Sequence, residues 1–176
     1  MSNMLQLSSI LFNIPVMSLR TGGQIAIAEQ PIINPNNLKI EGWYCVDQFS
    51  KQTLILLGQD IREIIPQGLA VDDHEVLSLP GELIRLEKVL ALNFQLIGKR
   101  AITNHRRRIG KVADFATDME SLMIQKIYIT QPIYKTLTGG QLSIDRTQII
   151  EITNKHVKVR ESEEKLRNPV PVALSA

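Results

Sequence analysis

The sequence predicts an all-β protein that is built twice. Three observations carry that expectation. Short apolar runs punctuated by Gly, Pro and Asn turns recur along most of the chain. Only residues 80–93 show apolar residues at helical spacing. The order of apolar, turn and aromatic positions repeats at an offset of 84–85 residues. Each copy, about 65–75 residues with six short strands, has the size of a small barrel or sandwich.

Five segments follow in order. Residues 1–13 read as a leader lying on the first copy. Its run Ile10-Leu11-Phe12 is broken by Asn13 and Pro15 and follows no Lys or Arg, so it makes a poor signal peptide. The first copy covers 14–79. Val16 to Leu19 is its first strand, and Thr21-Gly22-Gly23 is a tight turn. Gln24 to Ile33 is the second strand, with Ile25 and Ile27 on one face and Pro31 at a bulge or edge. Leu38 to Val46 follows the turn Asn34-Pro35-Asn36-Asn37, then Thr53 to Leu57. A bend at Asp60 leads to Ile64-Ile65, and Glu75 to Leu79 is the sixth strand. The linker 80–93 is an amphipathic helix of about three turns, its stripe Leu83, Leu86, Val89 and Leu90 packing on the end of one copy or between the two.

The second copy covers 94–160. It opens Leu96-Ile97-Gly98-Lys99-Arg100-Ala101-Ile102, crosses the basic turn Thr103 to Arg108, and continues Ile109-Gly110-Lys111-Val112-Ala113-Asp114-Phe115. Gly110 marks a bulge or a close backbone approach. An offset of 84 carries Ile25 onto Ile109, Asn34 onto Asp118, Leu38 onto Leu122, Ile40 onto Ile124 and Tyr44 onto Tyr128. An offset of 85 carries Asp60 onto Asp145 and Ile64-Ile65 onto Ile149-Ile150. Residues 161–176, a charge run followed by Pro169 and Pro171, read as an extended tail.

A net charge of +2 argues against a general polyanion binder. The lone Cys45 allows no internal disulfide and no cysteine-based zinc site. No run approaches the ~18 apolar residues of a membrane span. A cytoplasmic protein is expected.

The second copy resembles a known family. Leu96-Ile97-Gly98-Lys99-Arg100, a polar turn, then Arg108-Ile109-Gly110-Lys111-Val112-Ala113-Asp114-Phe115 and the turn Asp118 are similar to the signature of the PRC-barrel, the domain of the photosynthetic reaction centre H subunit. In the first copy Ala26 stands where Gly110 stands and Gln30 where Asp114 stands, so the strand kink there is expected to be made differently. The resemblance implies two tandem six-stranded PRC-type β-barrels joined by one short α-helix. It also implies a non-catalytic adaptor for a protein or ribonucleoprotein partner. Relatives include a domain of a ribosome maturation factor that contacts a ribosomal protein, and structural parts on the cytoplasmic side of membrane complexes. No cofactor is implied.

Among residues that carry chemistry, His74, His105 and His156 have no metal-ligand spacing, and Asp72-Asp73-His74-Glu75 fits a solvated acidic turn. Trp43 and Cys45 fall on one strand face, with no base to activate the thiol, so Cys45 reads as a buried structural residue. Gly22-Gly23 and Gly139-Gly140 precede no Lys-Ser/Thr pair and read as turns. Asn34 and Asp118 suit turns; Asp60 and Asp145 suit caps. No catalytic or metal site is expected. The candidate binding residues are His105, Arg106, Arg107 and Arg108, with Lys111 beside them. Arginines on a turn suit phosphate or an acidic protein surface. Without interleaved aromatics they do not signal a single-strand nucleic-acid site.

Overall fold

The computed structural model describes residues 4–132 and 140–161. The protein is mostly β-sheet, and the thirteen strands among those residues belong to one sheet. They are β1 (Leu5–Leu7), β2 (Ile14–Ser18), β3 (Gln24–Asn34), β4 (Lys39–Asp47), β5 (Thr53–Leu57), β6 (Ile61–Ile65) and β7 (Gly68–Val71), then β8 (Arg100–Thr103), β9 (Arg108–Asp118), β10 (Met123–Thr130), β11 (Gln141–Asp145), β12 (Ile149–Ile152) and β13 (His156–Val159). One helix, α1 (Glu87–Leu92), lies between β7 and β8.

The same pairing scheme occurs twice. Strands β2 to β5 form an antiparallel meander, β6 pairs antiparallel with β7, and β7 returns parallel to β2. Strands β8 to β11 repeat the meander, β12 pairs with β13, and β13 returns parallel to β8. No ladder joins β5 to β6 or β11 to β12 among the described residues, so hydrogen bonding does not close the sheet.

The halves meet through their hairpin turns. The Ile40 N–H donates to the Leu122 carbonyl at 2.8 Å, and the Ile124 N–H donates to the Leu38 carbonyl at 2.9 Å. These are the same positions in the two copies. Both leucines are buried and both hold left-handed backbone, at φ 55° and 57°. Arg146 of the second half also donates to the Asn37 carbonyl of the first-half turn at 2.5 Å. One hydrophobic core therefore runs through both halves, from Val16 and Trp43 to Phe115 and Val157.

The N-terminal segment does not lie simply on the first copy. Its strand β1 pairs with β9 of the second half, Leu5 opposite Asp118. The following turn then drives Leu11 fully into the core, where the Trp43 indole N–H donates to its carbonyl at 2.9 Å. The linker does the reverse. Leu86 and, beside it, Leu83, Val89 and Leu90 pack against Ile32 of β3 and Ile55 of β5. Each half's lead-in thus covers a strand of the other or of the junction between them.

Four expectations change. The helix of about three turns is a six-residue helix preceded by a 3-10 turn, Pro80–Glu82. Its apolar spacing comes from two short pieces facing one cluster, and Ile84 between them is 80% exposed. The sixth strand is Gly68–Val71, not 75–79, where a 3-10 turn and a single bridge at Ser78 stand instead. All four of its residues are buried, so no alternation betrays it. Ile27 faces out while Ala26 and Ala28 face in, because a register shift at Val16/Met17 turns the strand. Finally, the 85-residue offset in the later part of the repeat is 88: it carries Ile61–Ile65 to the start of β12 and Gly68–Val71 onto His156–Val159. The connection from β10 to β11 is longer than that from β4 to β5. The expected tail lies outside the described residues from 162 on, as does Gly139.

Gly110 makes the expected close approach. At φ 153° a Cβ there would overlap the Thr130 carbonyl oxygen on β10. Ala26 needs no such device. The first copy makes its close approaches elsewhere, at Gly42, where a Cβ would overlap the Leu56 carbonyl oxygen, and at Gly68, at φ 144°, where it would overlap the Pro15 carbonyl oxygen.

Two stability outcomes follow from this packing. Leu11→Ala should cost about 2–4 kcal/mol, read in urea unfolding, because it opens a cavity between the halves. A loss below about 1 kcal/mol would show that the segment merely lies on the surface. Gly110→Ala should lower the melting temperature through backbone overlap, and Gly22→Ala, which meets nothing within 4 Å, should lower it far less.

Candidate functional site

The basic turn joins β8 to β9. Thr103, buried at the end of β8, organises it: its hydroxyl accepts the N–H groups of His105 at 3.3 Å and Arg107 at 3.2 Å. Its own N–H donates to the Arg107 carbonyl, and the Arg106 N–H donates to the Thr103 carbonyl, both at 2.9 Å. In the first copy the corresponding turn is one residue longer and is anchored by Ser18, whose hydroxyl accepts the Thr21 N–H at 3.2 Å and whose carbonyl accepts the Gly22 N–H at 2.8 Å. Gly22 and Arg106 occupy corresponding places, and both hold left-handed backbone, at φ 72° and 61°. An arginine sits where glycine is conformationally cheaper.

His105, Arg106, Arg107, Arg108 and Lys111 are all exposed. The turn brings the first four together, and Lys111 lies three residues farther along β9, opposite Thr130. Arg107 forms an ion pair with Glu161, whose side chain is only 23% exposed. A cleft of about 250 Å³ adjoins this pair, lined by Thr103, Ile109, Gln131, Leu142 and Arg160 among others.

The first copy uses the matching region differently. The acidic turn after β7 is a clasp. Asp72 binds Arg62 through a bidentate pair, the closest contact 2.6 Å. Asp73 accepts from Arg20 at 3.0 Å and from the Ser18 hydroxyl at 3.1 Å. The His74 N–H, with Arg20 and Ser18, holds the Asp73 carboxyl below the usual carboxylate range. His74 Nε2 lies 2.7 Å from Asp47 Oδ1. Among the described residues no three His, Cys, Asp or Glu side chains converge to hold a metal ion.

Asp47 ends β4 and is 2% exposed. Burial alone would raise its pKa, but the Ser50 hydroxyl and N–H, at 2.5 and 2.8 Å, together with His74, hold it well below the usual range. Burial pushes the Cys45 thiol up to about 12, so it is neither nucleophile nor thiolate ligand at neutral pH. Asn34 and Asp118 accept N–H groups two residues on, at 3.0 and 3.2 Å, as turn residues do. Asp145 stands at the N-cap of the 3-10 turn Arg146–Gln148, and its N–H donates to Gln148 Oε1 at 2.9 Å. Asp60 ends its 3-10 turn rather than capping it, and burial raises its pKa.

A cleft of about 670 Å³ opens at the junction of the two hairpin turns and the linker, beside Lys39, Glu41, Glu82, Arg85 and Glu120. Its wall carries both signs of charge. Sequence reading missed the Asp47–His74 contact, 27 residues apart, and the Glu161 contact. Neither had a local signal, because the fold brings each pair together from different strand ends.

No family model matches the chain, and no curated protein matches it. No helix among the described residues is long and apolar enough to cross a membrane.

Because the Asp47 pKa is depressed in the folded state, its contribution to stability is fully present above the unfolded carboxyl's pKa of ~3.9. It is lost as pH falls from there toward the native value. Asp47→Asn should therefore cost about 1–3 kcal/mol at neutral pH. The gap to the wild type should narrow when the urea melts are repeated near pH ~3. A gap that stays constant with pH would assign the loss to packing instead.

Proposed function

We propose that this chain is a non-catalytic adaptor made of two tandem PRC-type barrels. It binds a protein partner through the turn His105–Arg108 of its second copy, with Lys111 at the edge of that surface. Support for the PRC-type reading comes from two directions. The motif from Leu96 to Asp118 resembles the family signature. The pairing scheme of meander, hairpin and parallel return occurs twice at matching positions. A small barrel fills its interior with side chains, so binding falls to turns and edges.

The observation that carries the binding site is the contrast between the two copies. Both turns are anchored by a hydroxyl residue, Ser18 or Thr103, and the first is one residue longer. The first copy fills its turn with Thr21-Gly22-Gly23, the second with His105-Arg106-Arg107-Arg108. Arg106 keeps a backbone conformation that costs an L-residue roughly 1–2 kcal/mol. Folding gains nothing from an exposed guanidinium there, whereas a surface for acidic groups does.

The ribosome-associated reading uses the same turn and is separated by the same experiment. Arg106→Ala, Arg107→Ala and Arg108→Ala combined should leave the fold intact, with each exposed change worth about 0.5 kcal/mol or less. Capture of partners from native lysate should fall, and its salt dependence should flatten. Capture that survives ribonuclease in the wild type supports a protein partner; capture abolished by ribonuclease supports the ribonucleoprotein reading. Unchanged capture by the triple variant at low salt removes the turn from the binding surface.

A further inference from the structure

The second copy has a cleft of about 250 Å³ along β11, and the first copy shows what occupies the corresponding place. There the chain past β7 runs back to β5. Asp73 accepts from the Ser18 hydroxyl at 3.1 Å, His74 Nε2 lies 2.7 Å from Asp47 Oδ1, and Ser78 forms an antiparallel bridge with Ile55. Both hydrogen bonds of that bridge are made. The Ile55 N–H donates to the Ser78 carbonyl at 2.8 Å, and the Ser78 N–H donates to the Ile55 carbonyl at 3.0 Å. Between those contacts Val76 and Leu77 pack against the core.

The counterparts of those three contact positions line the cleft. Thr103 anchors its turn as Ser18 does. The offset of 84 that carries Tyr44 onto Tyr128 also carries Asp47 onto Gln131. Tyr44 lies opposite Ile55 on β5 and Tyr128 opposite Ser143 on β11, so Ser143 stands where Ile55 stands. Thr103, Gln131 and Ser143 all border the cleft, and its apolar lining includes Ile109, Leu142 and Ile144. Equal register also turns the Ser143 N–H and carbonyl away from β10, as those of Ile55 are turned away from β4. Among the described residues no strand pairs with that edge of β11, and Ser143 is exposed. A sheet edge with outward amides beside an apolar cleft accepts an extended strand.

We propose that this cleft docks an extended segment of the protein partner, which bridges Ser143 through its main chain and seats two adjacent aliphatic side chains beside β11. In the first copy Ser78 bridges Ile55 in that way, with Val76 and Leu77 packed on the core. The inference rests on the adaptor reading for its partner and names the chemistry of the segment that partner presents. Two features favour a peptide over a nucleic acid. The strand edge asks for a main-chain amide donor and acceptor, and the lining beneath it is aliphatic. A ribose-phosphate chain offers neither a backbone amide nor an aliphatic side chain.

The test uses the full chain and a fluorescein-labelled peptide with the sequence of residues 73–79, read by fluorescence anisotropy. Saturable binding is expected, and a peptide carrying Val76→Ser and Leu77→Ser should bind about tenfold more weakly. Ser143→Pro should abolish binding. It removes the outward N–H and, since that N–H makes no bond to β10, it removes no ladder bond. Absence of saturable binding to the full chain overturns the proposal, and that is the result if the chain fills its own cleft. Equal affinity of the two peptides overturns it, and so does binding that Ser143→Pro leaves unchanged. Should Ser143→Pro fail to fold, N-methylation of the peptide's Ser78 amide removes the donor from the other side. A loss of about threefold supports the bridge, and no loss overturns it. Partner capture lost in the arginine-to-alanine triple variant, with no peptide binding by the wild type, overturns this inference alone. Peptide binding that Ser143→Pro abolishes, with capture unchanged in the triple variant, supports the cleft and overturns the arginine turn as the binding surface.

Discussion

Leu38 and Leu122 set the geometry on which the molecule depends. Each is a buried residue with left-handed backbone, a conformation that costs a non-glycine residue roughly 1–2 kcal/mol. That conformation aims each carbonyl at the N–H two residues past the other leucine. The two reciprocal hydrogen bonds contribute about 1 kcal/mol each. Burying the two side chains adds about 2 kcal/mol apiece, so the strained turns are stable as a pair. The contact is self-complementary, position for position, as in a twofold dimer, although both partners belong to one chain. Once the turns are joined, β4 and β10 lie side by side. The N-terminal strand can then reach β9, and Leu11 fills the space beside Trp43. A continuous sheet and a shared core are the consequence.

Much of this architecture was readable where chemistry is local. The matched turns at Asn34 and Asp118, the alternation that buries Trp43 and Cys45, and the crowding at Gly110 each depend on a few neighbouring residues. What was hidden depends on the rest of the molecule. Gly68–Val71 is buried on both faces, so its sequence has no period to detect. The offset grows from 84 to 88 across the longer β10–β11 connection, and a sequence match through isoleucines at 85 tolerates the three-residue error. The linker's leucines share a spacing with a helix only because two short pieces face one apolar cluster. Among site residues, the basic turn was visible as composition. Its partner Glu161 was not, since 54 residues separate it from Arg107.

The Asp47 carboxylate shows how the first copy has turned its charges inward. Ser50 and His74 satisfy a group that is otherwise shut away from water, and an unpaired buried charge would be far costlier than any surface pair is worth. With Asp72 on Arg62 and Asp73 on Arg20, the charges at that end of the first copy are matched within the chain. Exposed pairs of this kind add little stability individually. Their effect is to leave few unsatisfied charges for an outside molecule.

The second copy inherits the same backbone and departs from that economy at one turn. Thr103 anchors its turn through the hydroxyl as Ser18 does, in a turn one residue shorter. Side chains there can change without unfolding the strands that carry them. Three arginines on a fixed turn, facing an acid delivered from the end of β13, are what remains when a structural clasp is kept in outline and its charge is increased. Arg107 and Glu161 meet there as a partly exposed ion pair. Its strength is set by ionic strength more than by packing, because every group involved is at least partly exposed.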